Sequence, residues 1–527
     1  GWSTRAWASE AEYGGVRVEL WSEEKWVPPG GAYHVRIRVT SVGGPAGGGL
    51  YFSRPSEATT GFGAITPPPQ GGSDQAISWT IPVLSPGQTW DARVEILVRA
   101  DWPEEKQYED HLINALMYRG IDGLLYYVPV RWPDSNPTTA ANPGALTTDE
   151  PVNAASGEYV LDPPPDIDLG GPLPLVFQRR YASGPHPAGP FSEALGPNWR
   201  HDLDIGLKSF NYDRSVFVCN GFKQIEFVLP YGSLDWSLNF HQEPIPYQLY
   251  RRAWKTATDF WLMDPSQDRI YRFDRNTNSL AEIRDRSGNA LIFTRDGSGR
   301  ITQVADGLGR ALTFTYVDGR LTRVSDGARN VDFTYSTDAS RQLTGVTDPL
   351  GRTTTYVYNS VNRATGPLLT GYTRPGGNTP LVQEWDGSGR VIRQTDAYGH
   401  VTLMEYDSPA VGQTRVTNPD GTATIFTGYD RRIGTAIQDA AGHTTSFQHT
   451  DREQLSVLTD RLGDAISVTY HEPSGKIASY TDAMGRTTIC TYTYQQQTFT
   501  HPINLSEAAI FRFYDLTRID HPDGSHE

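Results

Sequence analysis

Three groups of residues in this chain carry side chains whose types and spacing could do chemistry. Asp162, Asp166 and Asp168, in DPPPDIDLGG, place three carboxylates close together, a pattern open to a hard cation such as calcium or to an acidic turn. His201 beside Asp202, in WRHD, offers a His–Asp pair of the kind used in general acid–base catalysis. The aspartates after residue 280 are numerous enough to bring carboxylates together, which raises glycoside hydrolysis. Their even spacing argues instead for turns. The many Tyr and Trp residues could stack on sugars, but a core or sheet-face role is the simpler reading. No Gly-x-Ser-x-Gly, His-Glu-x-x-His, P-loop or dinucleotide fingerprint occurs. Cys219 and Cys490 lie far apart without zinc-type spacing, so they read as two thiols or one long-range disulfide. The expectation is a non-enzymatic chain with no metal and no cofactor.

The composition says what must position these residues. The chain has 527 residues, 37% hydrophobic and only 20% charged, with Gly 52 and Pro 37. Average usage is roughly 7% Gly and 5% Pro, so turn-formers are enriched. Tyr 27, Phe 19 and Trp 13 supply core material, while runs of strong helix formers are few. An all-β fold follows. The formal net charge of −15, with no basic stripe, argues against nucleic acid as a partner. No apolar run approaches the ~18–20 residues that span a bilayer, so direct membrane insertion is not expected.

Residues 1–132 alternate apolar and polar side chains at Val16, Val18 and Leu20, at Val35, Ile37 and Val39, at Ile77, Trp79 and Ile81, and at Ala92, Val94 and Ile96. That period marks strands with one buried face, and VPPGG, GGPAGGG, TPPPQGG and LSPGQ punctuate them. An Ig-like β-sandwich is predicted, with one helical stretch near Glu104–Met117 from the spacing of Tyr108, Leu112 and Leu116. Residues 133–160 are poor in large apolar groups and read as a linker or extended segment. A lead-in segment follows at 161–207, then a repeat array at 208–527.

The array is defined by Asp-x-x-Gly: Asp285–Gly288, Asp306–Gly309, Asp348–Gly351, Asp396–Gly399, Asp439–Gly442, Asp460–Gly463 and Asp482–Gly485. Successive turns, with variants at Asp326 and Asn418, recur about every 21 residues. Between them lie Tyr358–Asn359, Trp385–Asp386, Tyr406–Asp407 and Tyr429–Asp430. Asp can bond back to the chain, and Gly takes a backbone position that a Cβ disfavours. The intervening runs, such as RTTTYVY at Arg352–Tyr358, are strand-forming. Each unit is therefore read as a β-hairpin, and stacked hairpins as one continuous sheet. A nonapeptide calcium repeat would need Gly-Gly-x-Gly-x-Asp far more often than DGSGR recurs at Asp296 and Asp386.

The lead-in residues Gly171, Pro172, Leu173, Pro174, Leu175, Phe177, Arg179 and Tyr181, followed by Leu195, Gly196, Trp199, His201, Leu203 and Asp204, resemble the start of Rhs/YD-repeat proteins. The PPGG and L-x-PGQ motifs of the N-terminal part resemble adhesion-type sandwich modules of bacterial surface proteins. The Rhs resemblance implies that the hairpin sheet spirals into a hollow shell. It also implies packing and turn roles for Trp199, His201 and Asp202. In that family the shell encloses a C-terminal toxin, for which no segment is recognised before Glu527. The chain is therefore expected to be a non-catalytic shell segment of a secreted or cell-surface bacterial protein, with a cargo toxin from the same or a longer chain as partner. The alternative is an extracellular adhesin or filament subunit that self-associates head to tail by strand addition at the open end of the sheet.

Overall fold

The computed structural model describes residues 8–13, 15–23, 27, 30–43, 46–55, 59–101, 111–118, 121–129, 146–148, 151–184, 194–210, 215–220, 223–228, 237–238, 245–251, 259–274, 276–363, 366–429, 433–450, 452–500 and 508–527. Every regular element among them is a β-strand. The chain divides into two compact units, one built mainly from Gly1–Asn136 and the other mainly from Pro137–Lys208 and Gln242–Glu527.

The first unit is a sandwich of two five-stranded sheets. Val18, Leu20, Val35, Ile37, Val94 and Ile96 from one sheet meet Leu50, Phe52, Ile77, Trp79 and Leu116 from the other in one buried cluster. These are the period-two positions of their strands, so alternation alone sends them inward. The helix expected near Glu104–Met117 is corrected where it can be seen: His111–Tyr118 is a strand, paired with Ile121–Pro129 and with Ala46–Ser53. Leu112 and Leu116 are four apart, an even number, so the same spacing serves a helix face and a strand face. Burial of Leu116 between the sheets favours the strand. Residues 102–110, the start of that stretch, lie outside the described residues.

The second unit is dominated by an antiparallel sheet whose strands run from Gln248–Arg251 to Ala508–Asp520, each paired with the next in sequence. Most strands are five to seven residues long. One face is apolar. Ile283, Leu291, Phe293, Val304, Leu312, Phe314, Val324, Val331, Phe333 and Val346 are buried there, and cross-strand pairs such as Phe293 with Val304 and Phe333 with Val346 place them side by side. The opposite face at the same strands carries Thr294, Thr313, Thr315 and Thr334.

The lead-in segment lies on that apolar face. Phe177 packs on Phe314 and Phe333, each at a centroid distance of 5.9 Å. The segment starts earlier than residue 161: Val152, Asn153, Ala154 and Tyr159 are buried in this unit, and the Gly157 carbonyl accepts a hydrogen bond from the Val391 amide at 3.0 Å. At the other end, the Leu207 amide donates to the Asn278 carbonyl at 3.1 Å.

The sheet also returns to its own beginning. The hairpin Thr487–Thr500 and Ala508–Asp520 is about twice as long as its neighbours. Phe511 and Phe513 on it are buried against Met263 and Ile270 of the early strands Phe260–Asp264 and Arg269–Asp274.

Candidate functional site

Each Asp-x-x-Gly turn is built by its own carboxylate. Asp306 Oδ1 accepts the Leu308 and Arg310 amides at 3.0 Å each, and Oδ2 accepts Arg310 Nε at 2.8 Å. Asp348, Asp396 and Asp482 repeat the pattern, with Arg352, His400 and Arg486 as the side-chain partners. Asp285, Asp439 and Asp460 accept the same two amides. The closing glycines Gly288, Gly309, Gly351, Gly399, Gly442, Gly463 and Gly485 all have φ between +76° and +93°, where a Cβ is disfavoured. Asp296 and Asp386, in the DGSGR segments, form the same turn on the opposite rim of the sheet. At Asp296 and Asp482 the Arg side chain and the backbone N–H groups hold the carboxyl below its ordinary value.

A second device ties the two strands of each hairpin together at the end away from its Asp-x-x-Gly turn. The Tyr358 hydroxyl donates to the Leu343 carbonyl at 2.7 Å, Tyr470 to Leu455 at 2.8 Å and Tyr492 to Ile477 at 2.7 Å, each spanning 15 positions. Tyr406 donates likewise to Val391, and Tyr335 to Leu321. Desolvation pushes the Tyr335, Tyr358 and Tyr406 phenols up, so all three remain donors at neutral pH. Sequence reading finds the aromatic–Asp element but not this bond, because its acceptor is a backbone carbonyl. Tyr429 and Asp430 carry no such account: the Tyr429 side chain and Asp430 lie outside the described residues.

The lead-in residues converge on these tyrosines. Trp199 is fully buried, its indole N–H donating to Tyr358 at 2.8 Å and its ring edge-on to Tyr356 at 5.0 Å. Arg179 pairs with Asp166 at 3.0 Å, donates to the Tyr356 hydroxyl at 2.6 Å, and lies over the Trp199 ring at 5.5 Å. The Tyr181 hydroxyl accepts the Leu369 amide at 2.9 Å. Pro172 and Pro174 flank buried Leu173 in a turn, next to Gly170, whose carbonyl accepts Arg310 Nη2 at 3.1 Å.

The chemical candidates disperse. His201 is buried between Phe177 and Phe314, and burial, then the Arg200 and Arg295 charges, lower its pKa to about 3. It is therefore a neutral ring. Asp202 turns elsewhere and accepts the Gln178 amide at 3.1 Å, so the two residues form no pair. Asp202 is half-buried as a residue, and desolvation of its carboxyl raises its pKa to about 7. Asp162 pairs with Arg180, Asp166 with Arg179, and Asp168 accepts the Gly170 amide. The three carboxylates have three separate partners, and no acidic or His/Cys cluster suited to a metal occurs among the described residues. Cys490 is a free thiol, and the Cys219 side chain lies outside the described residues.

Two family models match the chain. One, described as Domain of unknown function (DUF6531), covers residues 149–227. The other, RHS Repeat, covers residues 295–331. The first spans the lead-in segment and the second a pair of Asp-x-x-Gly hairpins. The chain thus carries an RHS repeat, and its similarity is to Rhs/YD-repeat proteins.

Among its curated relatives, the probable deoxyribonucleases RhsB and RhsA of Dickeya dadantii (strain 3937) are each 23% identical over 345 residues, covering 64% of this chain and 23% of theirs. The chain thus spans about a quarter of the length of those relatives. Among solved structures, TcdB2-TccC3 without its hypervariable C-terminal region aligns over 97% of this chain and 27% of that one, at 9% identity and a TM-score of 0.29. A Photorhabdus luminescens Tc holotoxin pore aligns over 96% of this chain and 26% of that one, at 10% identity and a TM-score of 0.29. Among the described residues, no helix is long and apolar enough to cross a membrane.

Proposed function

We propose that this Rhs-type chain is a non-catalytic wall segment of a secreted or cell-surface bacterial protein, whose hairpin sheet encloses a toxin. The observation that supports this most is the return of the hairpin Thr487–Asp520 onto Phe260–Asp274, which makes the sheet curl through a full circuit. A curled sheet separates two volumes, and containment needs nothing more. Arg179, Trp199, Tyr181 and Tyr358 act as fasteners that hold the lead-in segment to the wall. The Ig-like sandwich serves as an adhesion-type module at the N-terminal end. The relatives named as deoxyribonucleases would then owe that activity to parts of their chains outside this match.

The test is protease protection. Cargo from the same gene, co-expressed with the chain, should survive a protease dose that degrades the free cargo. Equal digestion rates would sink the containment reading. The purified chain should leave duplex DNA intact, and metal-dependent cleavage lost on mutating its aspartates would overturn the non-catalytic reading.

A further inference from the structure

The apolar face of the sheet runs on past the segment that covers it. Cross-strand pairing carries one row of side chains along that face. It passes from Phe293 beside Val304 and Phe333 beside Val346, through Met404 beside Val416 and Phe426 beside Ile437, to Phe447 beside Leu458 and Val468 beside Tyr480. Val304, Phe333, Val346, Met404 and Val416 are at most 3% exposed. Farther along, Ile437, Phe447, Leu458, Ile466 and Val468 are only half-buried, and Tyr480 is 40% exposed. The change falls where the described lead-in stops, at Gly434, where Leu146 fills the space that a Cβ would take. The opposite face of the same strands is exposed to a similar degree, yet it carries Ser446, Thr459, Ser467, Thr469 and Ser479. Equal exposure with unequal polarity marks the apolar face as an interaction surface.

What lies on the covered part shows what such a row accepts. Leu175, Phe177, Arg179 and Tyr181 of the lead-in are each 5% exposed or less, while Val176 and Gln178 between them are half-buried and Arg180 is exposed. An extended chain with this period lays every second side chain on the surface beneath it. The segment crosses the strands of the sheet as it does so. Phe177 lies on Phe314 and Phe333, Arg179 bonds to Tyr356, and Tyr181 meets Leu369. The row beyond Gly434 continues that same interface. It spans five strands, from Ile433–Gln438 to Ile477–Thr481. At about 4.8 Å per strand this is roughly 19 Å, the length of about six extended residues.

We propose that Phe447, Leu458, Ile466, Val468 and Tyr480 form a docking row for an extended segment of the cargo polypeptide whose alternate residues are apolar, laid across the strands as Leu175–Tyr181 is. The inference rests on the wall reading and names the chemistry by which the wall holds what it encloses. It differs from strand addition because side chains on a sheet face, not the backbone of a sheet edge, make the contact. Six extended residues place three side chains on the row, so the row reads period and polarity rather than a particular sequence.

The test is fluorescence anisotropy of a labelled peptide with the lead-in sequence Leu173–Ser183, titrated with the full chain. Saturable binding is expected at about 1–100 µM. A peptide of the same residues, reordered so that the apolar ones are consecutive, should bind about tenfold more weakly. The triple variant Leu458→Thr, Val468→Thr and Tyr480→Thr should lose at least about tenfold in affinity. A control on the opposite face, Val382→Thr with Leu403→Thr, should bind like wild type. A photo-cross-linking version of the peptide, used on the wild type, should mark residues 437–480. No binding, equal binding of the reordered peptide, affinity untouched by the triple variant, or cross-links confined to residues 314–369 overturns the proposal. A chain that protects cargo from protease but binds no peptide overturns the docking row and leaves the wall reading standing. Peptide binding at the row without protection sinks the wall reading alone.

Discussion

The indole N–H of Trp199 donates to the Tyr358 hydroxyl at 2.8 Å, and that hydroxyl donates onward to the Leu343 carbonyl at 2.7 Å. One phenol thereby satisfies a buried lead-in side chain and the partner strand of its own hairpin together. Tyr358→Phe leaves the Trp199 N–H without an acceptor in a water-poor site, at a cost of about 1–3 kcal/mol. The expected result is a lowered denaturation midpoint followed by tryptophan fluorescence. Tyr470→Phe, which breaks only a hairpin link, should cost less. Equal effects would mean that the Trp199 bond adds nothing.

Arg179 and Asp166 form an ion pair almost without solvent contact. Breaking one partner of such a pair strands a charge, typically at about 3–5 kcal/mol, whereas removing both is much milder. Arg179→Met and Asp166→Leu should each destabilise strongly, and the double variant should cost less than either alone. Additive losses in the double-mutant cycle would contradict this coupling.

Two kinds of carboxylate should give opposite pH responses. Asp482 is held below its unfolded value by Arg486 and backbone amides, so its contribution is present above about pH 4 and is lost as pH falls through the folded value. Asp482→Asn should therefore be less stable than wild type at pH 7, with the gap narrowing toward acid. Asp202 is raised to about 7 by desolvation, so its contribution is present below about pH 4 and is lost as pH rises to 7. Asp202→Asn keeps the oxygen that accepts the Gln178 amide and cannot ionise. It should gain on wild type between pH 5 and pH 8, measured as thermal midpoints. A pH-independent difference for either variant would contradict the assignment.

Glycines should separate strain from clash. Gly351 has φ +76° and open space around a built Cβ, so Gly351→Ala carries conformational strain of about 1–2 kcal/mol and little else. Gly157 has φ +73°, and a Cβ there would sit 2.4 Å from Arg390 Cβ and 2.9 Å from the Tyr406 hydroxyl. Gly157→Ala should push the lead-in segment off the wall, with faster limited proteolysis around residues 146–161. Gly351→Ala should leave that cleavage rate unchanged.

Much of the fold was readable because it is written in short periods. Alternation at Val35, Ile37 and Val39 has one strand solution, and Asp306 to Gly309 closes a turn with its own side chain and backbone. The helix expected near Leu112 failed because a four-residue spacing fits both periodicities, and only the partner sheet removes the ambiguity. His201 and Asp202 form no pair because the strand ends at His201, whose ring packs on Phe177, while Asp202 opens the following turn and accepts the Gln178 amide.

The sequence alone determined the local half of this protein: the strands, the hairpin period and the carboxylate that builds each turn. All of these depend on interactions within a few residues. Tertiary structure decided the rest. The Arg179–Tyr356 contact spans 177 positions and the Arg286–Asp515 contact 229. Those distances are set by the accumulated curl of many strands, a small twist per pair that no local pattern encodes. The lead-in segment thus became a fastened layer over the sheet.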